Sequence, residues 1–300
     1  MGYFFVILAV VCFAMQFAFT NAYEGRVKQT TATSFVMLAI ASALGGILYL
    51  IIGGFRVNVS PVSLILAAVY AIIMIPYYLI SIKVLSLGSL AVYSMFMMLG
   101  GMVVPFLFGT IFLKEPVTPW RIVGCVLLTS FIILQAAGQK KSAQTTKKKR
   151  VLFILLCLCI FLVNGLTGVI ATVHQGQPNA VDEVSFTVLS CAFSVAISLA
   201  VLGIILIFRG RKSRLSEMRQ ATRPLPLLFS LLIGGAMYTG NFLILLAANE
   251  VPASVQFPLI SGGTIVLSAI VSATVFKEKL SVTEWVAVGG AFASTFLFAF

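Results

Sequence analysis

Long stretches without any charged residue dominate this 300-residue chain. Each is about as long as the roughly 17–25 residues that a helix needs to cross the hydrocarbon core of a bilayer. Because backbone amides find no partner in lipid, helices are the expected spanning elements. The ten windows run Met1 to Tyr23, Gln29 to Phe55, Val57 to Ile82, Val84 to Leu113, Ile122 to Gln139, Val151 to Val181, Val184 to Phe208, Pro224 to Asn249, Val251 to Phe276 and Trp285 to Phe300. The sequence therefore predicts an all-α, polytopic membrane protein with ten transmembrane helices.

The composition leaves no room for a soluble domain of useful size. Hydrophobic residues make up 60% of the chain, charged residues make up 9%, and the mean hydropathy is +1.11. Residues 1–23 have no basic residue before their apolar run and no small-residue cleavage site after it. We therefore interpret them as the first span and not as a removable signal peptide.

The basic residues predict on which side of the membrane each connection lies. The odd-numbered connections hold 17 of the 20 Lys and Arg residues, namely Arg26, Lys28, Lys83, Lys140, Lys141, Lys147, Lys148, Lys149, Arg150, Arg209, Arg211, Lys212, Arg214, Arg219, Arg223, Lys277 and Lys279. The even-numbered connections hold only Arg56, Lys114 and Arg121, and the one between spans six and seven has Asp182 and Glu183 instead. By the positive-inside rule, the odd connections are cytoplasmic and both termini lie outside.

The net charge of +12 is concentrated in two segments, residues 140–150 and 209–223, each next to a predicted span. High positive charge is also typical of nucleic-acid binding proteins, but this placement favours a cytoplasmic membrane face. We therefore expect the lipid bilayer as a partner, with anionic headgroups at the basic loops, and no nucleic acid. The predicted location is the cytoplasmic membrane.

The cysteines and the single histidine do not form a metal-binding pattern. All five cysteines lie inside predicted spans, at Cys12, Cys125, Cys157, Cys159 and Cys191, and are interpreted as packing residues. Cys157 and Cys159 are two residues apart on a helix and therefore face different sides. His174 lies near the outer end of span six and is interpreted as an interfacial polar residue. No metal and no cofactor are expected.

The two halves of the chain resemble each other weakly. The basic segment 140–150 is the predicted cytoplasmic linker between residues 1–139 and residues 151–300, and each half holds five predicted spans. The matches are Phe13 and Gln16 with Phe161 and Asn164, Ser34 and Phe35 with Ser185 and Phe186, and Gly100, Lys114 and Glu115 with Gly263, Lys277 and Glu278. Because five is an odd number, the halves are predicted to be inverted repeats. Such repeats enclose a site near the bilayer midplane that opens to each side in turn.

The end of each half carries a family resemblance. Residues 85–134 and 247–298 each have a glycine-bearing helix, a short loop with Glu, a Trp and a final helix with Gly, at Glu115, Trp120 and Gly124 and at Glu278, Trp285 and Gly289. This pattern resembles the EamA-type repeat of the drug/metabolite transporter superfamily. The resemblance implies ten helices in two EamA-like repeats, and transport. One departure is Pro258 in the ninth span, because the matching position in the fourth span is Met95.

Uncharged polar side chains inside the spans predict the substrate site, because in hydrocarbon they must face protein or water. Six of them form three pairs between the halves: Gln16 with Asn164, Tyr78 with Asn241, and Tyr93 with Gln256. An inverted repeat would arrange these pairs around one axis. For each single residue the alternative is a hydrogen bond between helices, worth about 1 kcal/mol.

Charged residues are missing from the centre of every predicted span. The related small multidrug resistance family has an essential Glu in its first helix, where this chain has Phe13. The sugar-phosphate translocators of the same superfamily hold phosphate with a central Lys/Arg pair, which is also absent here. The expected substrate is therefore a small neutral, zwitterionic or amphiphilic metabolite.

The functional hypothesis is a secondary transporter working by alternating access, and not an enzyme. One alternative is a polyspecific drug exporter. A second is a membrane-embedded enzyme acting on a lipid-linked substrate, for which only His174, Asp182 and Glu183 are suitable acid/base groups. A non-transporting scaffold subunit is a third. The sequence leaves the substrate, the direction of transport and any coupling ion open.

Overall fold

The computed structural model describes residues 1–28, 30–87, 90–115, 117–138, 147–208, 211–275 and 282–297, which contain helices and no strand. The eleven helices are α1 (Gly2–Glu24), α2 (Thr31–Ile52), α3 (Pro61–Leu87), α4 (Leu90–Ile111), α5 (Pro119–Gly138), α6 (Lys147–Gln175), α7 (Glu183–Phe208), α8 (Arg211–Ala221), α9 (Pro224–Ala248), α10 (Ala253–Thr274) and α11 (Val282–Phe296). The predicted all-α class is confirmed.

Seven of these helices are long and apolar enough to cross a membrane, namely α1, α2, α3, α6, α7, α9 and α10. The helices α4, α5 and α11 contain shorter apolar stretches, at Phe96–Ile111, Pro119–Phe131 and Trp285–Ser294. The chain is therefore a multi-pass membrane protein, while the count of ten spans stays a prediction. Two details were not predicted: α6 begins at Lys147, within the predicted linker 140–150, and the basic segment after α7 contains the short helix α8.

Apolar residues on the outer surface of the bundle agree with a lipid environment. Leu155, Leu158, Leu162 and Leu166 follow one another at helical spacing along α6, and each is more than 40% exposed. A continuous apolar surface of this length is unfavourable in water but not against lipid tails. The same helix turns Ile160 inward, where it is completely buried.

Local sequence signals define where several helices begin. Proline is the first residue of α3, α5 and α9, a position where its missing N–H costs nothing. The helix α2 begins with a capping box in which the Thr30 hydroxyl accepts from the Thr33 N–H and the Thr33 hydroxyl accepts from the Thr30 N–H. Such signals set helix boundaries before any tertiary contact forms.

Eight helices pack in a closed ring, in the order α1, α10, α4, α6, α3, α7, α2, α9 and back to α1. Helices from residues 1–139 and from residues 151–300 alternate strictly around this ring. The helices α5 and α11 pack on each other, against α4 and α10 respectively, and α8 packs on α2. The two halves of the sequence are therefore interdigitated and do not form separate lobes.

Two ends of the bundle are distinguished by their charge. At the first, the Asn58 N–H donates to Ser185 Oγ over 2.9 Å, and the Asn249 amide donates to Glu183 Oε1 over 3.4 Å. The α2–α3, α6–α7 and α9–α10 connections therefore meet there. We call this the acidic end, because Asp182 and Glu183, at the start of α7, and Glu250, in the α9–α10 connection, lie there.

The opposite end brings the α1–α2 connection against α8 and the start of α9. The Thr30 hydroxyl donates to Glu217 Oε2 over 2.9 Å, and the Arg26 guanidinium lies 5.0 Å from the centre of the Phe229 ring. We call this the basic end, because Arg26, Lys28 and the basic helix α8 belong to it.

The first helices of the two sequence halves run in opposite directions. The helix α1 begins at the acidic end, where the Gly2 N–H donates to Glu250 Oε2 over 2.5 Å. The helix α6 finishes at the acidic end, where the Gln175 amide donates to the Leu245 carbonyl over 2.8 Å.

Candidate substrate site

The predicted site residues lie on six helices that form two closely packed groups. Group A consists of α3, α4 and α6, and group B consists of α1, α9 and α10. Group A carries Tyr78, Tyr93 and Asn164, and group B carries Gln16, Asn241 and Gln256. Each predicted pair thus has one member in each group. The Tyr93 side chain is outside the part of the chain that the structure describes.

Glycines hold the helices of group A close together. A Cβ atom added at Gly100 would lie only 2.0 Å from the Phe161 carbonyl oxygen, and one added at Gly165 would lie 2.6 Å from the Gly100 carbonyl oxygen. The main chains of α4 and α6 therefore meet directly, which only residues without a side chain allow.

Glycines also line the helix contacts of group B. A Cβ atom at Gly240 would lie 3.0 Å from the Phe13 ring, and one at Gly263 would lie 2.9 Å from Val10. The helix α1 is thereby packed against both α9 and α10. The phenylalanines Phe13 and Phe161, which are equivalent in the two halves, both pack on one core cluster that includes Met102 and Ile244.

The amide nitrogen of Asn164 is used inside group A. It donates to the Met97 carbonyl over 2.7 Å, and the Tyr77 hydroxyl contacts the sulfur of the same Met97 at 2.9 Å. These bonds join α6 and α3 to α4. The Asn164 Nδ2 group therefore stabilises the helix packing. This agrees with the alternative interpretation of the residue, a hydrogen bond between helices.

The amide of Gln256 makes the matching bond inside group B, where Nε2 donates to the Ile244 carbonyl over 2.5 Å. The side chain is completely buried, and its Oε1 atom has no hydrogen-bond partner among the described residues. An unpaired buried oxygen costs about 1–3 kcal/mol. Gln256 thus places an unused acceptor in the interior.

The remaining predicted residues lie among aromatic side chains. Gln16 stands between Phe13 and Phe17, and Phe17 packs on the group A cluster that includes Val84 and Ile160. The helix α1 therefore reaches from group B to group A at this level. Gln16 itself is half-buried.

Aromatic rings also lie close to Tyr78. The Tyr78 ring lies 5.9 Å from Phe35 and 5.3 Å from Tyr77 between ring centres. Asn241 directly follows Gly240, the glycine that faces Phe13. Tyr78 and Asn241 are each half-buried.

A buried hydroxyl cluster between α2 and α9 was not predicted. Ser42 Oγ lies 2.6 Å from the Tyr238 hydroxyl, and the Tyr49 hydroxyl donates to the Tyr238 carbonyl. The Tyr238 ring fits over Gly45, where a Cβ atom would lie 2.5 Å from it. The sequence signal is the spacing of Ser42, Gly45 and Tyr49, which puts all three on one face of α2.

His174 lies in the last turn of α6 and is buried inside the protein. It is 1% exposed, its ring stacks on Phe186 with 3.8 Å between centres, and its Nε2 atom lies 3.0 Å from Ser63 Oγ. Ser63 Oγ also accepts from the Ser60 hydroxyl and the Val181 N–H. Because Ser63 is completely buried and its oxygen is occupied, this Ser–His pair is suited to fixing α3 against α6, and not to nucleophilic attack.

A surface cavity of about 210 Å³ opens beside this pair at the acidic end. It is lined by His174, Gln175, Gln177, Ala180, Val181, Asp182, Glu183 and Asn249. The described residues contain no group of three or more His, Cys, Asp and Glu side chains that could hold a metal ion.

Asp182 is the N-cap of α7. Its carboxylate accepts from the Ser185 N–H at 3.0 Å, the Ser185 hydroxyl at 2.8 Å and the Asn58 amide at 2.9 Å. Burial raises the pKa of Asp182, but the hydrogen bonds from Ser185 and Asn58 outweigh it and leave this pKa below its ordinary value. The Asp182 carboxylate is therefore charged at neutral pH and joins the α2–α3 connection to α7.

Comparison with known proteins gives a fold but no family. No family model matches the sequence, and no curated protein matches it. Among solved structures, 28 chains match. One crystal structure is similar with a TM-score of 0.63 at 14% sequence identity, covering 99% of this chain and 95% of that chain. At this identity the likeness shows a shared fold over the whole chain.

Proposed function

We propose that this protein is a secondary transporter that moves a small metabolite across the cytoplasmic membrane by alternating access. The proposed architecture has ten spans, with α8 outside the membrane, in two inverted five-helix repeats like those of the drug/metabolite transporter superfamily. The opposite directions of α1 and α6 support the inversion. The basic end is proposed to be cytoplasmic, in accord with the positive-inside rule.

The packing pattern of the helices is the observation that carries this proposal. The helices α1, α2, α3, α4 and α5 can be exchanged with α6, α7, α9, α10 and α11, respectively. After this exchange, every helix–helix contact of the ring coincides with a contact of the ring. For example, α1 on α9 becomes α6 on α3, and α2 on α7 and α4 on α10 exchange with themselves. This symmetry favours two equivalent groups, A and B, on either side of one site, as transporters built from inverted repeats require.

An unused polar atom favours a substrate that donates hydrogen bonds. Gln256 donates its amide nitrogen to a main-chain carbonyl, and its buried Oε1 atom, which has no hydrogen-bond partner among the described residues, is left for a ligand. Aromatic rings near Gln16 and Tyr78 offer apolar surface and ring faces to the rest of the molecule. A neutral, zwitterionic or amphiphilic metabolite with an amine, amide or hydroxyl donor fits these groups.

A ligand screen tests the function. We expect some members of a metabolite library to raise the melting temperature of the purified protein, because a ligand that binds only the folded state stabilises it. Proteoliposomes should then take up the radiolabelled hit, and unlabelled hit should compete. Competition by several unrelated lipophilic cations would favour a polyspecific drug exporter instead.

Alanine variants test the site. Gln16→Ala and Asn241→Ala should each weaken binding of the hit at least tenfold, since both residues belong to the proposed site. Ser130→Ala is the matched control, because Ser130 is exposed on α5 and donates only within its own helix, to Val126. Unchanged transport by both variants, with normal folding, would show that the site lies elsewhere.

A further inference from the structure

The start of α10 is capped by a carboxylate from a distant part of the chain. Its own N-cap residue, Pro252, makes no side-chain cap hydrogen bond. Instead, Glu115 Oε1 accepts from the Ala253 N–H over 3.1 Å, and Glu115 Oε2 accepts from the Ser254 N–H over 2.9 Å. Glu115 therefore satisfies two amides that every helix leaves free at its start.

The α4–α5 connection is shaped to present this carboxylate. The Glu115 N–H donates to the Gly109 carbonyl over 3.1 Å, so the chain folds back over the last turn of α4. A Cβ atom at Gly109 would lie 2.7 Å from Glu115 Oε2, so a side chain at this position would displace the carboxylate from its present place. Lys114 adopts a φ of +53°, a left-handed conformation that is costly for a side-chain-bearing residue.

The capping contact crosses from group A to group B. Glu115 follows α4 of group A, whereas Ala253 and Ser254 begin α10 of group B. At the same acidic end, the Gln175 amide of α6 donates to the Leu245 carbonyl of α9. Both bonds tie the two groups together at the acidic end of the proposed site. Gln256 lies two residues after the capped amides.

We propose that Glu115 is a latch that holds the acidic end of the substrate site closed, and that its release from α10 is a step of the transport cycle. This inference rests on the proposed transport function. Alternating access requires groups A and B to separate at this end, and the two carboxylate bonds would then break. Glu115 thus acts as a positioning residue through α10 and does not contact the substrate.

Removal of the carboxylate should shift the protein toward a state that is open at the acidic end. Hydrogen bonds to a charged group are stronger than those between neutral groups. Loss of both bonds from α10 to Glu115 should therefore raise the ratio of open to closed molecules roughly tenfold. Glu115→Ala removes both bonds. Glu115→Gln keeps the shape and one acceptor oxygen, so its effect should be intermediate.

Pulsed electron paramagnetic resonance on the full chain in lipid nanodiscs tests the latch. The first pair of spin labels is placed at Ile111 and Asn249, two exposed positions at the acidic end, on either side of the contact. The second pair is placed at Val151, near the start of α6 in group A, and at Leu225, near the start of α9 in group B, two exposed positions at the basic end. The five native cysteines are replaced by alanine in every variant.

The expected result is a longer Ile111–Asn249 distance in Glu115→Ala, with a smaller shift in Glu115→Gln. Glu217→Gln is the control, because it changes a carboxylate that bonds Thr30 at the basic end. An unchanged Ile111–Asn249 distance in both Glu115 variants, with normal elution and helix content, would overturn the latch.

The second pair of spin labels distinguishes a failure of the latch proposal from a failure of the proposed transport function. Alternating access predicts that the Val151–Leu225 distance shortens when the Ile111–Asn249 distance lengthens, whereas loss of a merely structural cap changes neither distance. If the acidic end opens while the basic end stays fixed, the latch stands and alternating access is wrong.

Discussion

Glycines at helix crossings differ in how closely the neighbouring helix approaches them. A Cβ atom at Gly100 would collide with the Phe161 carbonyl, whereas one at Gly203 would meet no other atom within 4 Å. Both glycines lie inside apolar helices, so their sequence surroundings do not distinguish them. The difference comes from the partner helix, and it predicts which glycine tolerates a side chain.

We expect Gly100→Ala to destabilise the protein by about 1–3 kcal/mol or more, because the added methyl group forces α4 away from α6. Gly203→Ala is the matched control and should be neutral or stabilising by about 0.5–1 kcal/mol, since alanine favours the helix. Thermal unfolding in detergent measures both. Equal melting temperatures for the two variants would contradict the close approach of α4 and α6.

Asp182 predicts a pH dependence at the acidic end. Its folded pKa is lower than its ordinary value, so its contribution to stability is fully present above its unfolded-state pKa of about 3.9 and is lost as the pH falls toward the folded pKa. Melting temperatures from pH 7 to pH 3 should therefore fall more steeply for the wild type than for Asp182→Asn. Parallel curves would argue against a charged cap at α7.

At the scale of the element, α6 shows how one helix serves lipid and protein at once. Leu155, Leu158 and Leu162 form its exposed stripe, while Cys157 and Ile160 are completely buried against group A. The two faces have the same hydrophobic character, because lipid tails are as apolar as a protein core. Hydropathy therefore identifies this helix but does not show which of its faces packs against the other helices.

Leu158→Ala and Ile160→Ala should separate the two faces of α6. The first should change stability by less than about 0.5 kcal/mol, because lipid fills the space that the side chain leaves. The second should cost roughly 2 kcal/mol, because it opens a cavity in group A. Thermal unfolding of both variants in the same detergent checks this, and a larger cost at Leu158 would reverse the assignment of the faces.

At the scale of the whole molecule, interdigitation changes which parts can move as units. Residues 1–139 and 151–300 alternate around the ring, so neither half can rock as a separate body without disrupting every contact of the ring. Groups A and B each combine helices from both halves and are held together by glycine contacts and by one amide-to-carbonyl bond. They are the moving units that the proposed alternating access would use.

The orientation of the whole molecule gives a further prediction. Cysteines introduced at Asn179, in the α6–α7 connection, and at Leu215, in α8, are exposed at opposite ends of the bundle. In intact cells a membrane-impermeant maleimide should label Asn179→Cys, and it should label Leu215→Cys only after permeabilisation, because the basic end is predicted to be cytoplasmic. The chain with only its native cysteines provides the background, and the reverse pattern would invert the topology.

The sequence suggested the residues of the proposed site but not how their polar atoms are used. It selected Gln16, Tyr78, Asn164, Asn241 and Gln256, and the structure puts them on the two groups that flank the proposed site. It did not predict which amide atoms are already used, because the main-chain carbonyls of Met97 and Ile244 are brought near only by packing. Tyr93, whose side chain lies outside the described residues, stays a prediction.

The sequence by itself determined the membrane class, the all-α fold and the approximate positions of ten of the eleven described helices, because an apolar stretch of about 20 residues forms a helix in lipid wherever it occurs. Only the tertiary structure decided the alternating ring, the burial of His174 and the cap that Glu115 gives to α10. Most of these contacts join residues that are distant in the sequence, such as Gly100 with Phe161 and Glu115 with Ala253, and they depend on the shapes of two surfaces. Hydropathy does not encode these contacts, because it does not distinguish one apolar face of a helix from another.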